Sequence, residues 1–231
     1  MKDTTRAAQT KEPQYQVQFE TMGRLGPLEM GPSASYTWRN DPRRLTFLLS
    51  RYKFVSKLFA GKRHALEVGC GDGFGMRVVL QTVGAVHGID FDPMFVDWAR
   101  AHAQREGLNC TFSTIDITKE PPSQKFDCAY SLDVIEHIEP SEERDYLRGI
   151  TAALEPHGTC IIGTPNITAQ AYASPQSMEG HINLKSAETL KASMDECFEN
   201  VFIFCMNDEV VHTGYYPMAQ YLFAVGAGVR A

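Results

Sequence analysis

Four side chains carry groups that could do chemistry: Asp133, Glu136, His137 and His181. The first three lie in one stretch, Ser131-Leu132-Asp133-Val134-Ile135-Glu136-His137. On a helical turn, positions i, i+3 and i+4 are neighbours, so two carboxylates and an imidazole would share a face. Such a set can hold a divalent cation, and oxygen-rich ligation suits Mg2+ or Mn2+. The same residues also read as a metal-free general base, His137 or His181, or as a polar cluster that closes a strand.

A second stretch is built for binding. From His64 to Val79 a short apolar run, Ala65, Leu66 and Val68, leads into Gly69, Gly71, Gly73 and Gly75, and then into Met76, Val78 and Val79. This is a strand, a glycine turn and a helix start. Glycines there permit positive φ and let a ligand approach the backbone. The dinucleotide fingerprint G-x-G-x-x-G fits poorly, because Phe74 stands at its third glycine. The pattern E-x-G-x-G-x-G fits from Glu67 to Gly73. A carboxylate at Glu67 is unhelpful beside a pyrophosphate and suits a ligand that carries an ammonium group. An acidic residue is expected about twenty positions downstream, and Asp90 is there.

The elements that must position these groups alternate strand and helix, the mark of an α/β, doubly wound sheet. Strands are expected at 85–89, 109–115, 126–131, 159–163, 201–205 and 221–225. Helices are expected from Asp41-Pro42 to Gly61, after Asp92-Pro93, over 141–154 and over 186–197. In open sheets of this kind the ligand sits at the carboxyl ends of the strands. Asp90 and Asp116 fall there. Residues 1–35 read as a loose arm broken by glycine and proline.

Composition bounds the rest. A net charge of −6 argues against broad electrostatic binding of nucleic acid. The six cysteines form no C-x-x-C, so they read as reduced, packed residues. No signal peptide and no long apolar run is apparent, so the expectation is a cytoplasmic protein without membrane insertion. The segment 39–63 is basic, with Arg39, Arg43, Arg44, Arg51, Lys53, Lys57, Lys62 and Arg63 opposed only by Asp41. It is either a solvated face or an attractant for an anionic small molecule. Tyr36 and Trp38, just before it, could cover a pocket. Nothing in the sequence speaks to oligomeric state.

The run Leu66-Glu67-Val68-Gly69-Cys70-Gly71-Asp72-Gly73, followed by Asp90, resembles motif I of the class I S-adenosylmethionine (SAM)-dependent methyltransferases. The resemblance covers about residues 60–231 and is strongest over 64–138. It implies a Rossmann-like sheet of seven strands whose last strand is antiparallel. Residues 61–231 would form that domain, behind an N-terminal arm and helical lid at 1–60. It implies SAM as cofactor, with Glu67, Gly69, Gly71 and Gly73 at the glycine turn. Asp90 would take the ribose hydroxyls and Asp116 the adenine amino group, with the Ile117 amide at the ring. Ser131 and Leu132 would lie near the methionine end.

The set Asp133, Glu136, His137 and His181 resembles two metal-using families. One is the small-RNA 3′-terminal 2′-O-methyltransferases, which have Glu where this chain has Asp133. The other is the O-methyltransferases of ubiquinone biosynthesis. SAM already carries an activated methyl group, so a hydroxyl acceptor needs mainly positioning and loss of its proton. O-methylation is therefore expected. The expected acceptor is a polar, sugar-like or phosphorylated molecule of the surface-polysaccharide kind, shaped by the loops 164–185 and 206–217. A quinone-type phenol, an RNA 3′ end and a non-catalytic SAM-binding subunit are the alternatives.

Overall fold

Apolar runs bounded by turn residues form the strands. The computed structural model describes residues 10–230; residues 1–9, where the expected arm begins, and Ala231 lie outside the described residues. Within them β1 (His64–Val68), β2 (Ala85–Asp90), β3 (Cys110–Thr114), β4 (Phe126–Leu132), β5 (Leu154–Pro165), β6 (Phe198–Asn207), β7 (Val210–His212) and β8 (Tyr221–Val229) make one sheet. Its order is β3-β2-β1-β4-β5-β8-β6-β7. The first five strands of that order pair in parallel. β8 is antiparallel between β5 and β6. Seven strands were expected, and the described residues hold eight. The extra one, β7, is a three-residue hairpin partner of β6, too short for periodicity to reveal. β5 begins at Leu154 rather than at the expected 159, with a register shift in its pairing between Phe126 and Cys128.

The helices are α1 (Gln16–Leu25), α2 (Pro32–Asn40), α3 (Pro42–Leu58), α4 (Met76–Val79), α5 (Pro93–Glu106), α6 (Glu143–Ala153), α7 (Pro175–Gly180) and α8 (Ala187–Asp195). Two compact units appear, residues 1–30 and 31–231. In the first, a 3-10 turn at Pro13–Tyr15 leads into α1, which buries none of its residues. The second holds the sheet and all the other helices. The dividing point puts α2 and α3 with the sheet.

Alternation along each strand sends side chains to opposite faces of the sheet. Leu66 and Val68 of β1 belong to one core cluster with Tyr146 and Ile150 of α6 and Leu190 and Met194 of α8. Ala65 faces the other way, toward Val55 of α3, Met76 and Val79 of α4 and Val96 of α5. Val55, Met76, Val79 and Val96 are fully buried, and each such burial stabilises by about 1.5–3 kcal/mol. Local signals set the helix ends. Asp92 caps α5 by accepting from the Met94 N–H at 2.9 Å, and Gly107 closes it at φ 61°. Asp41 precedes Pro42 at the start of α3 without a side-chain cap bond; its carboxylate lies 3.6 Å from Arg43. The six cysteines are free. Among the described residues no helix is long and apolar enough to cross a membrane.

Candidate active site

β1 stands between β2 and β4, where the chain switches direction across the sheet, so a crevice opens at the strands' carboxyl ends. The glycine turn after β1 needs its glycines. Gly69, Gly71 and Gly73 have φ of 72°, 51° and 69°. A Cβ on Gly69 would fall 2.3 Å from Val134. The Gly71 N–H donates to one oxygen of Asp90 at 2.9 Å, and the Asp92 N–H donates to the other at 3.0 Å. Asp116 accepts from the Thr118 N–H and hydroxyl and pairs with Lys119. The Lys119 bond, then the Thr118 hydroxyl, hold the Asp116 carboxyl below its ordinary range. A cavity of about 470 Å3 opens here. Gly69, Asp90, Asp116 and Ile117 line it, with Phe91 and Val134 among its apolar walls. Apolar walls with Asp90 and Asp116, two of its three lining carboxylates, suit a flat ring joined to a polyhydroxylated one.

Other residues expected to touch the cofactor stand behind this wall. Glu67 is buried on the face of β1 opposite Leu66 and Val68. Its two oxygens accept from the hydroxyls of Tyr52 and Tyr130, both at 2.8 Å. Burial pushes its carboxyl up to about 8, against the pull of the two tyrosines. The Ser131 hydroxyl donates to the Val68 carbonyl at 2.8 Å, tying β4 to β1. Leu132 packs in the same core as Ala65. Gly71 touches the cavity through Asp90, and Gly73 lies against Phe112 and Ala99.

The segment after β4 differs from the single helical turn that its spacing suggests. Only Ile135–His137 is helical, a 3-10 turn. Asp133 precedes it in the left-handed region at φ 57°. Its carboxylate is gripped by Arg51 Nη1, at 2.7 and 2.5 Å. Asp133 lines the first cavity but does not join the other three candidates. Ligand atoms of Glu136, His137 and His181 all lie within 4.8 Å of one another. The Glu136 carbonyl accepts from the Ile182 and Asn183 N–H groups at 2.9 and 3.0 Å, which draws the distant loop onto the turn.

The electrostatics of this trio are strained. Glu136 is fully buried; Thr164 donates to its Oε2 at 3.0 Å, and its Oε1 has no partner. Burial, and then the nearby Asp133 charge, push its carboxyl well above the usual range. His181 Nδ1 is also buried without a partner. Burial and the neighbouring His137 lower the His181 imidazole. His137 Nδ1 lies 2.8 Å from the Gly180 carbonyl, which can only accept, so Nδ1 is the donor there and Nε2 is the nitrogen that does not serve this bond. One carboxylate and two imidazoles, with two buried atoms lacking partners, fit a divalent cation.

A second cavity of about 490 Å3 adjoins this trio, and His137 lines both cavities. Tyr36 and Arg44 form part of one wall of the second cavity, and Ser174, Ser177 and His181 part of the other. Trp38 and the expected 206–217 loop do not line it. Asp72 explains why α2 is there. Its Oδ2 accepts from the Ser33 and Ala34 N–H groups at 2.9 and 3.1 Å, capping α2 from across the chain. Sequence reasoning missed Asp72, Arg51 and the tyrosines around Glu67. Their partners are distant in sequence, and only the unusual density of charge on α3 hinted at Arg51.

Comparison with known proteins bears on this geometry. Residues 65–158 match the methyltransferase domain family. The ubiquinone biosynthesis O-methyltransferase of Coxiella burnetii is 29% identical over 126 residues, covering 53% of this chain and 52% of that protein. The mitochondrial ubiquinone biosynthesis O-methyltransferase of Arabidopsis thaliana is 29% identical over 144 residues, covering 58% and 44%. The chain thus spans about half the length of the curated relatives it matches. In fold it is similar to the N-methyltransferase NodS of Bradyrhizobium japonicum with bound S-adenosyl-L-homocysteine. That likeness has a TM-score of 0.63 at 17% identity, over 91% of this chain and 97% of that one.

Proposed function

We propose that this chain, which belongs to the class I SAM-dependent methyltransferases, methylates a hydroxyl of a small molecule, and that the acceptor is a quinone-type phenol. The observation that carries this reading is His137, on the wall of both cavities with Glu136 and His181 beside it. The sugar-like acceptor expected from sequence gives way, because both curated relatives named above are O-methyltransferases of ubiquinone biosynthesis.

When bound, SAM supplies the activated methyl group, and a divalent cation on Glu136, His137 and His181 supplies Lewis acidity toward the acceptor oxygen. Asp90 and Asp116 orient the cofactor. Backbone N–H groups fix Asp90, and Thr118 with Lys119 fixes Asp116, which leaves lone pairs for ribose hydroxyls and the adenine amino group. His137 Nε2 is free either to ligate or to take the acceptor's proton. Ile117, Val134 and Ile138 exclude water beside the transfer point. Arg44, Ser174 and Ser177 offer a negative or hydrogen-bonding substituent a place in the second cavity.

The test is to incubate the protein with SAM and a panel of catechols and follow S-adenosylhomocysteine. Turnover that stops in EDTA and returns with Mg2+ or Mn2+ supports the whole reading. Full turnover in chelator leaves His137 or His181 as a metal-free base. Turnover on nucleotide sugars alone returns the acceptor to the sugar class. SAM binding without turnover on either points to a non-catalytic subunit.

A further inference from the structure

Arg51 reaches from α3 to Asp133, three residues before Glu136. Its Nη1 donates to both oxygens of Asp133, and its guanidinium carbon lies 3.8 Å from the centre of the Tyr221 ring. Its Nε is buried without a partner. Asp133 is one of two non-glycine residues with positive φ among the described residues. It sits at the joint between Leu132, the last residue of β4, and the 3-10 turn that carries Glu136 and His137. The left-handed backbone there is disfavoured for most residues with a Cβ, less so for aspartate, and contacts that favour it decide whether it is kept. The Asp133 N–H is held by the Gly163 carbonyl at 3.0 Å. The side chain is held by Arg51, 82 positions away in sequence.

We propose that Arg51 is a positioning residue. By gripping Asp133 in the left-handed conformation, it sets the turn that aims Glu136 and His137 at His181. Arginine suits the task because one flat guanidinium can stack on Tyr221 and grip a carboxylate together, which lysine cannot do. The inference rests on Glu136, His137 and His181 being the reacting cluster, but it does not require a cation there.

The test compares the wild-type chain, Arg51→Met and the double variant Arg51→Met/Asp133→Gly. The single variant leaves Asp133 strained and without its counter-charge. The double variant leaves neither charge alone and gives the left-handed position to glycine, which adopts it freely. Affinities for Mn2+ and for SAM are read by calorimetry, and kcat with a catechol acceptor. In the single variant Mn2+ affinity and kcat should each fall by about tenfold or more, the usual effect of losing support behind a metal ligand. SAM affinity should change little, because Gly69, Asp90 and Asp116 keep their own bonds. The double variant should recover most of both losses. A single variant that fails to fold beside a folded, Mn2+-binding double variant also supports the proposal. It is overturned if the single variant matches wild type, if the double is no better than the single, or if SAM affinity falls as far as Mn2+ affinity. If wild type binds no Mn2+ while the kcat loss and its rescue persist, the cation reading fails and Arg51 positions His137 as a base.

Discussion

On the side of the sheet edge proposed for the cofactor the carboxylates are supplied with donors; on the side proposed for the acceptor two buried polar atoms have none. Asp90, Asp116 and Glu67 each accept at both oxygens. Glu136 Oε1 and His181 Nδ1 are left over. A buried polar atom without a partner costs about 1–3 kcal/mol, so the acceptor side is held in a state that a ligand would relieve. On the proposed roles the contrast separates two designs: a satisfied frame for the cofactor, and a cluster whose buried donors and acceptors a ligand would complete.

The largest test of that contrast is Glu136→Gln. It keeps the shape and removes the charge, so kcat should fall by about a hundredfold or more, with SAM affinity by calorimetry nearly unchanged. Loss of SAM binding instead would erase the distinction between the two sides. Asp90→Ala comes next. Each hydrogen bond to its charged carboxylate contributes about 1.5–3 kcal/mol, so SAM binding should weaken by at least about tenfold. Unchanged affinity in a folded variant would remove Asp90 from the site.

Glu67 offers a stability test on the satisfied side. Its folded-state pKa of about 8 lies above the unfolded value of about 4.3. Between the two, the folded protein keeps a proton that the unfolded chain has shed, so stability falls as pH rises through that window. Melting temperatures from about pH 5 to about pH 8 should drop in wild type, and Glu67→Gln should flatten that drop. The smallest effect concerns the basic helix. Arg44 lines the second cavity, whereas Arg43 points outward with its side chain 88% exposed. Arg44→Glu should raise KM for an anionic acceptor, less so at high salt, and Arg43→Glu should leave it alone. Equal effects from both would return the helix to a general field.

The sequence by itself determined what depends on neighbours along the chain. Glycines at 69, 71 and 73 mark the turn because only backbone freedom allows it. Asp90 and Asp116 are legible as edge residues because each strand delivers its end to a known edge: Asp90 closes β2, and Asp116 lies two residues beyond β3. The alternation of strand and helix carried the doubly wound fold. Only the tertiary structure decided the pairings between distant residues. Arg51 with Asp133, Asp72 with the start of α2, and two tyrosines around Glu67 each join elements that no local spacing connects. Asp133 shows the reason most clearly. Helical spacing placed it on one face with Glu136 and His137, but a long-range ion pair holds its backbone left-handed and turns it away from them. Local propensity differs between such states by only about 1–2 kcal/mol, and a part-buried ion pair and the packing around it are enough to overrule it.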